Sequence, residues 1–451
     1  MNFVFFFPDE MRADSVSCYG HPLVQMPHYD RIAAEGVRFD KAFTCQPVCG
    51  PARASLQTGL YASNTGCHTN GVPLSTEHRS LAQYFQEAGY ATGYIGKWHL
   101  DEREVKGPVP AERRFGYEHW LASNVLEFTS TEYDTVMYDN DDQAVKLPGY
   151  RVDALTDAVV RYIDGHQADP FFLFTSYIEP HHQNHVDDYP APDGYREQYA
   201  GRWVPPDLAE LGGSAHQHLG GYFGQVKRLD EAFGRVLDAL KSLGLDRDTV
   251  ILFTSDHGSH FRTRNAEYKR SCHESAIRVP TLLAGPGFVG GGQVQQLVSL
   301  VDLPPTLLDA AGIEVPEHMQ GRSIVPLLRG ETQGWPEEVF VQISEAQVGR
   351  AVRTKRWKYG VDAGGGSAAG PRPQDQSGAG TYVEEFLYDL QHDPYELRNL
   401  IGLESHRSVA DAMAARLQRR MAGAGEKVPQ IEPAPPRPSG QRRVSEAEAQ
   451  M

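Results

Sequence analysis

Cysteine is scarce in this chain: Cys18, Cys45, Cys49, Cys67 and Cys272 are the five among 451 residues. So small and odd a set argues against a disulfide framework. Cys45 and Cys49 lack the usual Cys-x-x-Cys spacing, and no second pair exists to complete a tetrahedral zinc site. Long apolar runs are missing as well. The opening "NFVFFFPDE" is too short to cross a bilayer. It shows no basic n-region and no small-residue cleavage site. The expectation is a soluble, cytoplasmic protein without a membrane partner. Positive charge is in deficit, with 43 Lys and Arg against 59 Asp and Glu and a formal charge of -16. That balance argues against a nucleic-acid partner, because such proteins neutralise phosphates with excess Lys and Arg. It also makes a long polyanion hard to lay across the whole surface, while a local basic pocket stays compatible.

What is present is enough apolar residue to bury a large core, in a chain long enough for two or three domains. "FVFFF", "YATGYIG", "PFFLFTSYI" and "TVILFTSDHG" are buried-strand runs, and "VPTLLAGPG" continues the alternation. Between them "MPHYDRIAAEGVRF", "DALTDAVVRYIDGH" and "GYFGQVKRLDEAFGRVLDALKSLGL" have helical spacing. The pattern predicts an α/β fold: a large, mostly parallel sheet sandwiched by helices over residues 1–335. Residues 336–425 read as a smaller antiparallel sheet plus helix. Their Gly/Ser/Pro-rich stretch "GGGSAAGPRPQDQSGAG" reads as a mobile loop. Residues 426–451 read as a disordered or loosely packed tail.

Polar residues recur where the strands end: Asp9 and Glu10, Lys97 to His99, His181, and Asp256 with His257. Ligands of open parallel sheets bind beyond the carboxyl ends of strands, so four such ends describe one site. Asp9, Glu10, Asp256 and His257 offer three carboxylates and an imidazole to a hard divalent cation. Taken singly, each acid reads equally well as a cap on the following turn. Cys49, Arg53, Lys97, His99, His181 and Lys269 could surround a sulfate or phosphate through charge-assisted hydrogen bonds. A helix opening just after Cys49 would aim free backbone N–H groups at the same anion.

The stretch Cys49-Gly50-Pro51-Ala52-Arg53, followed by "ASLQTG", resembles the C-x-P-x-R signature of the type I, formylglycine-dependent sulfatases of the alkaline-phosphatase-like superfamily. "PDEMRADSVSCYGHP", "GYIGKWHL", "SYIEPHH", "LFTSDHG", "YKRSCHESAIRVPTLLAGPG" and "LYDLQHDPYELRNL" resemble further family blocks, in family order, from residue 2 to about residue 400. The resemblance implies that a separate maturation enzyme oxidises Cys49 to Cα-formylglycine. One hydroxyl of its hydrate would attack sulfur, and loss of a proton from the other would release sulfate. It also implies a divalent metal, calcium before manganese or magnesium, held by Asp9, Glu10, Asp256 and His257 against residue 49. The longer side chain of Glu10 leaves its ligation open.

Arg53 would hold the formylglycine hydroxyl, Lys97 and Lys269 would clamp sulfate oxygens, His99 would take the gem-diol proton, and His181 would protonate the leaving oxygen. Phosphonate and phosphate ester hydrolases share this machinery and give the alternative reading; an inactive sulfated-glycan-binding relative is a more distant one. His182, Asn184 and His185, with His260, Arg262 and Arg264, are candidate substrate contacts that suit a sulfated carbohydrate, at a chain end or in a short oligosaccharide. Solvated surface is the plainer reading of those loops.

Overall fold

The computed structural model describes residues 1–102, 105–364 and 372–451. A ten-stranded sheet draws its strands from Asn2–Phe7 through Gly292–Val294. Its centre is parallel: Asn2–Phe7 lies between Phe171–Ser176 and Thr249–Thr254, and Ala91–Lys97 and His119–Ser123 follow beyond Phe171–Ser176. Asn2–Phe7, Phe171–Ser176 and Thr249–Thr254 are buried throughout, as helices on both faces require. Phe3, Phe5 and Phe7 enter one core with Leu56, Phe85 and Trp98, while Val4 and Phe6 enter the other with Tyr177, Phe233 and Phe253. Helices Pro27–Glu35, Arg151–Gly165 and Ala215–Ser242 cover that second face. Cys49–Thr58, Leu81–Glu87 and Leu303–Ala310 cover the first.

The sheet is mostly parallel, as expected, and its antiparallel members lie at the flanks. Thr281–Ala284, read as continuing the alternation, runs antiparallel to Thr249–Thr254. Thr135–Tyr138 and Ala144–Leu147 form an antiparallel hairpin on the opposite side. Register levels the carboxyl ends of the central strands, with Phe7 opposite Ser176 and Ser176 opposite Gly96. Gly96 has φ +121°, and a Cβ there would collide with the Ser176 carbonyl oxygen. Only glycine lets the chain turn Lys97 into the cleft at that point.

The smaller sheet consists of Glu338–Ile343, Gly349–Thr354, Trp357–Asp362 and Thr381–Asp389 in antiparallel order, under helix Arg407–Gly423. Part of the expected mobile loop, residues 365–371, lies outside the described residues. The tail differs from expectation. Gln430–Glu432 adds a fifth, parallel strand, and Ala449 is buried in the same core. The Glu448 carbonyl accepts from the Trp357 indole at 3.0 Å, and the Gln450 carbonyl from Arg416 at 3.0 Å. Composition hid this because the tail is fixed by backbone groups, which carry no residue signature. Among the described residues no helix is long and apolar enough to cross a membrane.

Candidate active site

The levelled strand ends deliver side chains from distant sequence positions to one cleft. Asp9 and Glu10 follow the first strand, Lys97 closes Ala91–Lys97, His181 lies five residues after Phe171–Ser176, and Asp256 and His257 follow Thr249–Thr254. Helix Cys49–Thr58 starts beneath them, with Cys49 buried. The Cys49 sulfur lies 3.0 Å from Lys269 Nζ, 3.3 Å from His257 Nε2 and 3.5 Å from Asp9 Oδ1. It forms the floor of a cavity of about 300 Å³ whose walls include His99, His181 and Lys269. One expected donor is already engaged. The Gly50 N–H donates to Asn70 Oδ1 at 2.8 Å, and Pro51 has no N–H to offer.

Charges alternate closely around this floor. Arg53 donates to Asp9 Oδ2 at 2.9 Å, to the Lys97 carbonyl at 2.9 Å and to Ser176 Oγ at 2.7 Å. Its Nε, without a hydrogen bond, faces Asp256 at 3.9 Å. Lys97 Nζ lies 2.9 Å from Asp9 and 3.2 Å from Glu127. Burial works to raise the Asp9 carboxyl, but the fields of Lys97, His181, Arg53 and Lys269 together hold it well below the usual range. Asp256 goes the other way, pushed up to about 7 by burial and by Asp9. Burial raises the Cys49 thiol and Asp9 adds to that, yet Lys269, Lys97 and His257 bring it below its ordinary value. Burial also lowers His99 to about 4, against the opposing pull of Glu127. Burial, Lys269 and Lys97 likewise hold His181 well below its ordinary value.

Asp9, Cys49, Asp256 and His257 present one donor atom each within 4.8 Å of one another. This set fits a divalent cation. Asp256 Oδ1 accepts the Glu10 and His257 N–H groups at 2.9 Å each, while its buried Oδ2 has no hydrogen-bond partner. His257 Nδ1 sits 2.9 Å from the Gly258 carbonyl, which places the neutral ring's proton there and leaves the Nε2 lone pair facing the cluster. Glu10 is placed differently. Its backbone has φ +66°, Tyr189 donates to Oε1 at 2.9 Å, and Lys269 pairs with Oε2 at 3.1 Å. Its carboxylate groups with Asp9 and His181 instead of with the four-residue set.

The candidate substrate contacts divide. His182 and Asn184 line the cavity. His182 Nε2 is 2.9 Å from Asp187, and its ring stacks on Tyr268 at 4.1 Å. His185, Arg262 and His260 do not line it among the described residues, and neither does Arg264. His185 borders an adjoining depression that shares Glu127 and Phe128 with the cavity. Arg262 pairs with Asp187 at 3.0 Å and lies over the Tyr268 ring. Arg264 donates to the Glu396 and Tyr395 carbonyls at 2.9 Å each, tying the loop to the smaller sheet's outer segment. His260 is fully buried, with Nε2 2.9 Å from the Lys269 carbonyl. Basic residues on a turn looked like ligand contacts because sequence does not show which way a turn faces.

Burial lowers His260 to about 3. The unfolded chain, with histidine near 6.5, therefore binds more protons than the native state as pH falls through 6.5, and stability drops there. Between pH 7 and pH 5 this one ring should cost about 2 kcal/mol. Urea unfolding of His260→Gln at both pH values should show a smaller acid loss than wild type; an identical loss would contradict the assignment.

Several cavity residues carried no sequence signal. Glu127 sits on a one-turn helix, Leu126–Thr129, and pairs with Lys97 and, at 3.8 Å, with His99. Glu345 and Gln374 reach the cavity from the smaller sheet's loops. Tyr189, which fixes Glu10, follows the "HHQNH" loop. None stands in a spacing that marks it.

Comparison with known proteins identifies the family. The family model described as "Sulfatase" matches residues 1–313, and that described as "N-sulphoglucosamine sulphohydrolase, C-terminal" matches residues 266–361. An "Ulvan-active sulfatase" of Formosa agariphila is 29% identical over 443 residues, spanning 94% of this chain and 82% of the relative. An "N-acetylglucosamine-6-O-sulfatase" of Bacteroides thetaiotaomicron is 26% identical, spanning 89% of this chain and 82% of the relative. The crystal structure of a putative sulfatase, yidJ, from Bacteroides fragilis superimposes with a TM-score of 0.80 at 25% identity, covering 94% of this chain and 96% of the other. With a family model spanning well over half its length on an alkaline-phosphatase-like fold, the chain belongs to the sulfatase family and is a sulfuric ester hydrolase.

Proposed function

We propose that the protein hydrolyses a sulfate monoester on a carbohydrate, at a chain end or on a short oligosaccharide. Residue 49 would be matured to formylglycine by a separate enzyme, and one calcium ion would be held by Asp9, Asp256 and His257. The observation that carries this reading is the Cys49 sulfur, standing where the formylglycine oxygens would be. It lies at the mouth-facing start of a helix, within 3.5 Å of a lysine, an imidazole and a carboxylate. Matured and hydrated, residue 49 would supply the attacking hydroxyl, and an ion held by Asp9, Asp256 and His257 would supply positive charge to the site.

The chain's own groups do the rest. Lys269 Nζ reaches both the residue 49 position and His181 Nε2, each at 3.0 Å, so it can neutralise a sulfate oxygen and hold the imidazole in place. His181 lines the cavity above the floor; burial keeps the ring neutral with Nε2 3.0 Å from Lys269 Nζ, so the proton it passes to the departing sugar oxygen is drawn from that lysine. His99, kept neutral by burial, takes the proton that frees sulfate from residue 49. Arg53 holds Asp9 in place, and its unpartnered Nε is the donor left for residue 49. Lys97, fully buried between Asp9 and Glu127, acts on the sulfate through the field it adds beneath the floor. Size fits a short substrate: about 300 Å³ holds a sulfated sugar and little more.

The test uses the leaving group. His181→Ala should lower kcat/KM by about 10²–10⁴-fold on a sugar sulfate, whose alkoxide needs a proton in the transition state. On 4-nitrophenyl sulfate the loss should be small. Equal losses on both would remove His181 from the acid role. Faster release of phosphate from phosphate or phosphonate esters than of sulfate would favour the alternative chemistry, and fast desulfation inside an intact polysaccharide would sink the chain-end reading.

A further inference from the structure

We infer that the accepted sugar carries one sulfate and no second anionic group, because among the described residues the cavity wall beyond the sulfate position has no uncommitted cation to receive one. This rests on the carbohydrate sulfatase reading above and narrows it. Four carboxylates line the cavity, Glu10, Glu127, Glu267 and Glu345, against two permanent cations, Lys269 and Arg270. Both cations are engaged. Lys269 pairs with Glu10 at 3.1 Å. Arg270 pairs with Glu267 at 2.8 Å and closely with Glu345. Below the floor, Arg53 and Lys97 are matched by Asp9, Asp256 and Glu127. Arg262, which lies over the ring of the lining residue Tyr268, is paired with Asp187.

A divalent ion bound to this set would bring its sum close to zero, leaving Lys269 and the ion as the local positive charges facing the one sulfate being cleaved. A second sulfate or a carboxylate would face Glu127, Glu267 or Glu345 instead. At about 6 Å and an effective dielectric near 20, one such like-charge contact lowers kcat/KM by roughly 10- to 100-fold. The rest of the wall suits hydroxyl or acetamido groups. Asn70, Thr69, Asn184 and Gln374 line it. Glu345 is fixed as a wall by accepting from Thr69 Oγ1 at 2.8 Å and from the Asn70 N–H at 2.6 Å.

The experiment compares kcat/KM for the monosulfates of galactose, glucose and N-acetylglucosamine with the disulfated form of each, with 4-nitrophenyl sulfate as control. The monosulfate of the best sugar should be favoured roughly 10- to 100-fold, and the preference should shrink between about 0.05 and about 0.5 M NaCl as rim charges are screened. Glu345→Gln keeps the acceptor for Thr69 and Asn70 but removes one wall charge and one of the two carboxylates on Arg270, so the preference should narrow several-fold; Glu267→Gln, at a half-exposed position, should do the same to a smaller degree. Equal or faster turnover of the disulfated sugar by wild type overturns the inference. So does a preference indifferent to salt and to both variants. Turnover of 4-nitrophenyl sulfate with none of any sugar sulfate overturns the carbohydrate reading itself, and this inference with it.

Discussion

Replacing Cys49 with alanine is expected to lower kcat by about 10⁴-fold or more, because the nucleophile is removed outright. Folding should survive. The residue opens the Cys49–Thr58 helix, where alanine is compatible with helical geometry, and the helix is held by Leu56 in the core and by Gly59 at its end. Cys45→Ala is the contrasting case. Cys45 is buried with Tyr61, Val301 and Phe340, and its carbonyl accepts the Gln342 N–H at 2.8 Å. Alanine there keeps the backbone bond and loses one small apolar contact, about 1 kcal/mol, with turnover unchanged. Steady-state kinetics on 4-nitrophenyl sulfate with circular dichroism of both variants checks the pair. Mass spectrometry of the peptide carrying residue 49 from active protein should show sulfur replaced by an aldehyde oxygen. An active Cys49→Ala protein beside a dead Cys45→Ala protein would show that the register of the motif is wrong.

Asp256→Ala is expected to cost about 10²–10³-fold in kcat/KM, and to abolish stabilisation by calcium. Wild-type protein freed of metal should gain about 2.7 kcal/mol at calcium one hundred times its dissociation constant, and the variant nothing. The cause is visible in the metal-free arrangement. Asp9 and Asp256 face one another across the cluster, and Asp256 is pushed up to about 7 by burial and that neighbouring charge. Asp256→Asn should therefore leave the metal-free protein as stable as wild type, while losing both activity and the calcium response. Thermal or urea unfolding with and without calcium separates these outcomes. Full activity in a demonstrably metal-free preparation would remove the ion from the reaction.

The strand ends were legible because buried parallel strands write themselves as continuous apolar runs, and polar residues after them stand out. Asp9, Lys97, His181 and Asp256 were all found that way, and the structure brings them to one cleft. Cys49 and Arg53 needed the family motif, since a thiol before a helix has plainer explanations. Direction of loops was not legible. Arg264 and His260 belong to the same turn as Lys269, yet they face backbone carbonyls while Lys269 faces the sulfur. Glu345 and Gln374 could not be foreseen because they enter from a second sheet, and their position depends on how that sheet docks. The same holds for Glu127, whose partners Lys97 and His99 are about thirty residues away in sequence.

The tail strand Gln430–Glu432 bears on solubility. Thr381–Asp389 is the outermost antiparallel strand of its sheet, and without a neighbour its N–H and C=O groups from Thr381 to Val383 would be open to another molecule. An open strand of that kind is a template for edge-to-edge self-association. The tail occupies it, and the Ala434 N–H and Arg407 then close over Glu384 just beyond. A stretch whose composition reads as unstructured thus works as a built-in guard against aggregation.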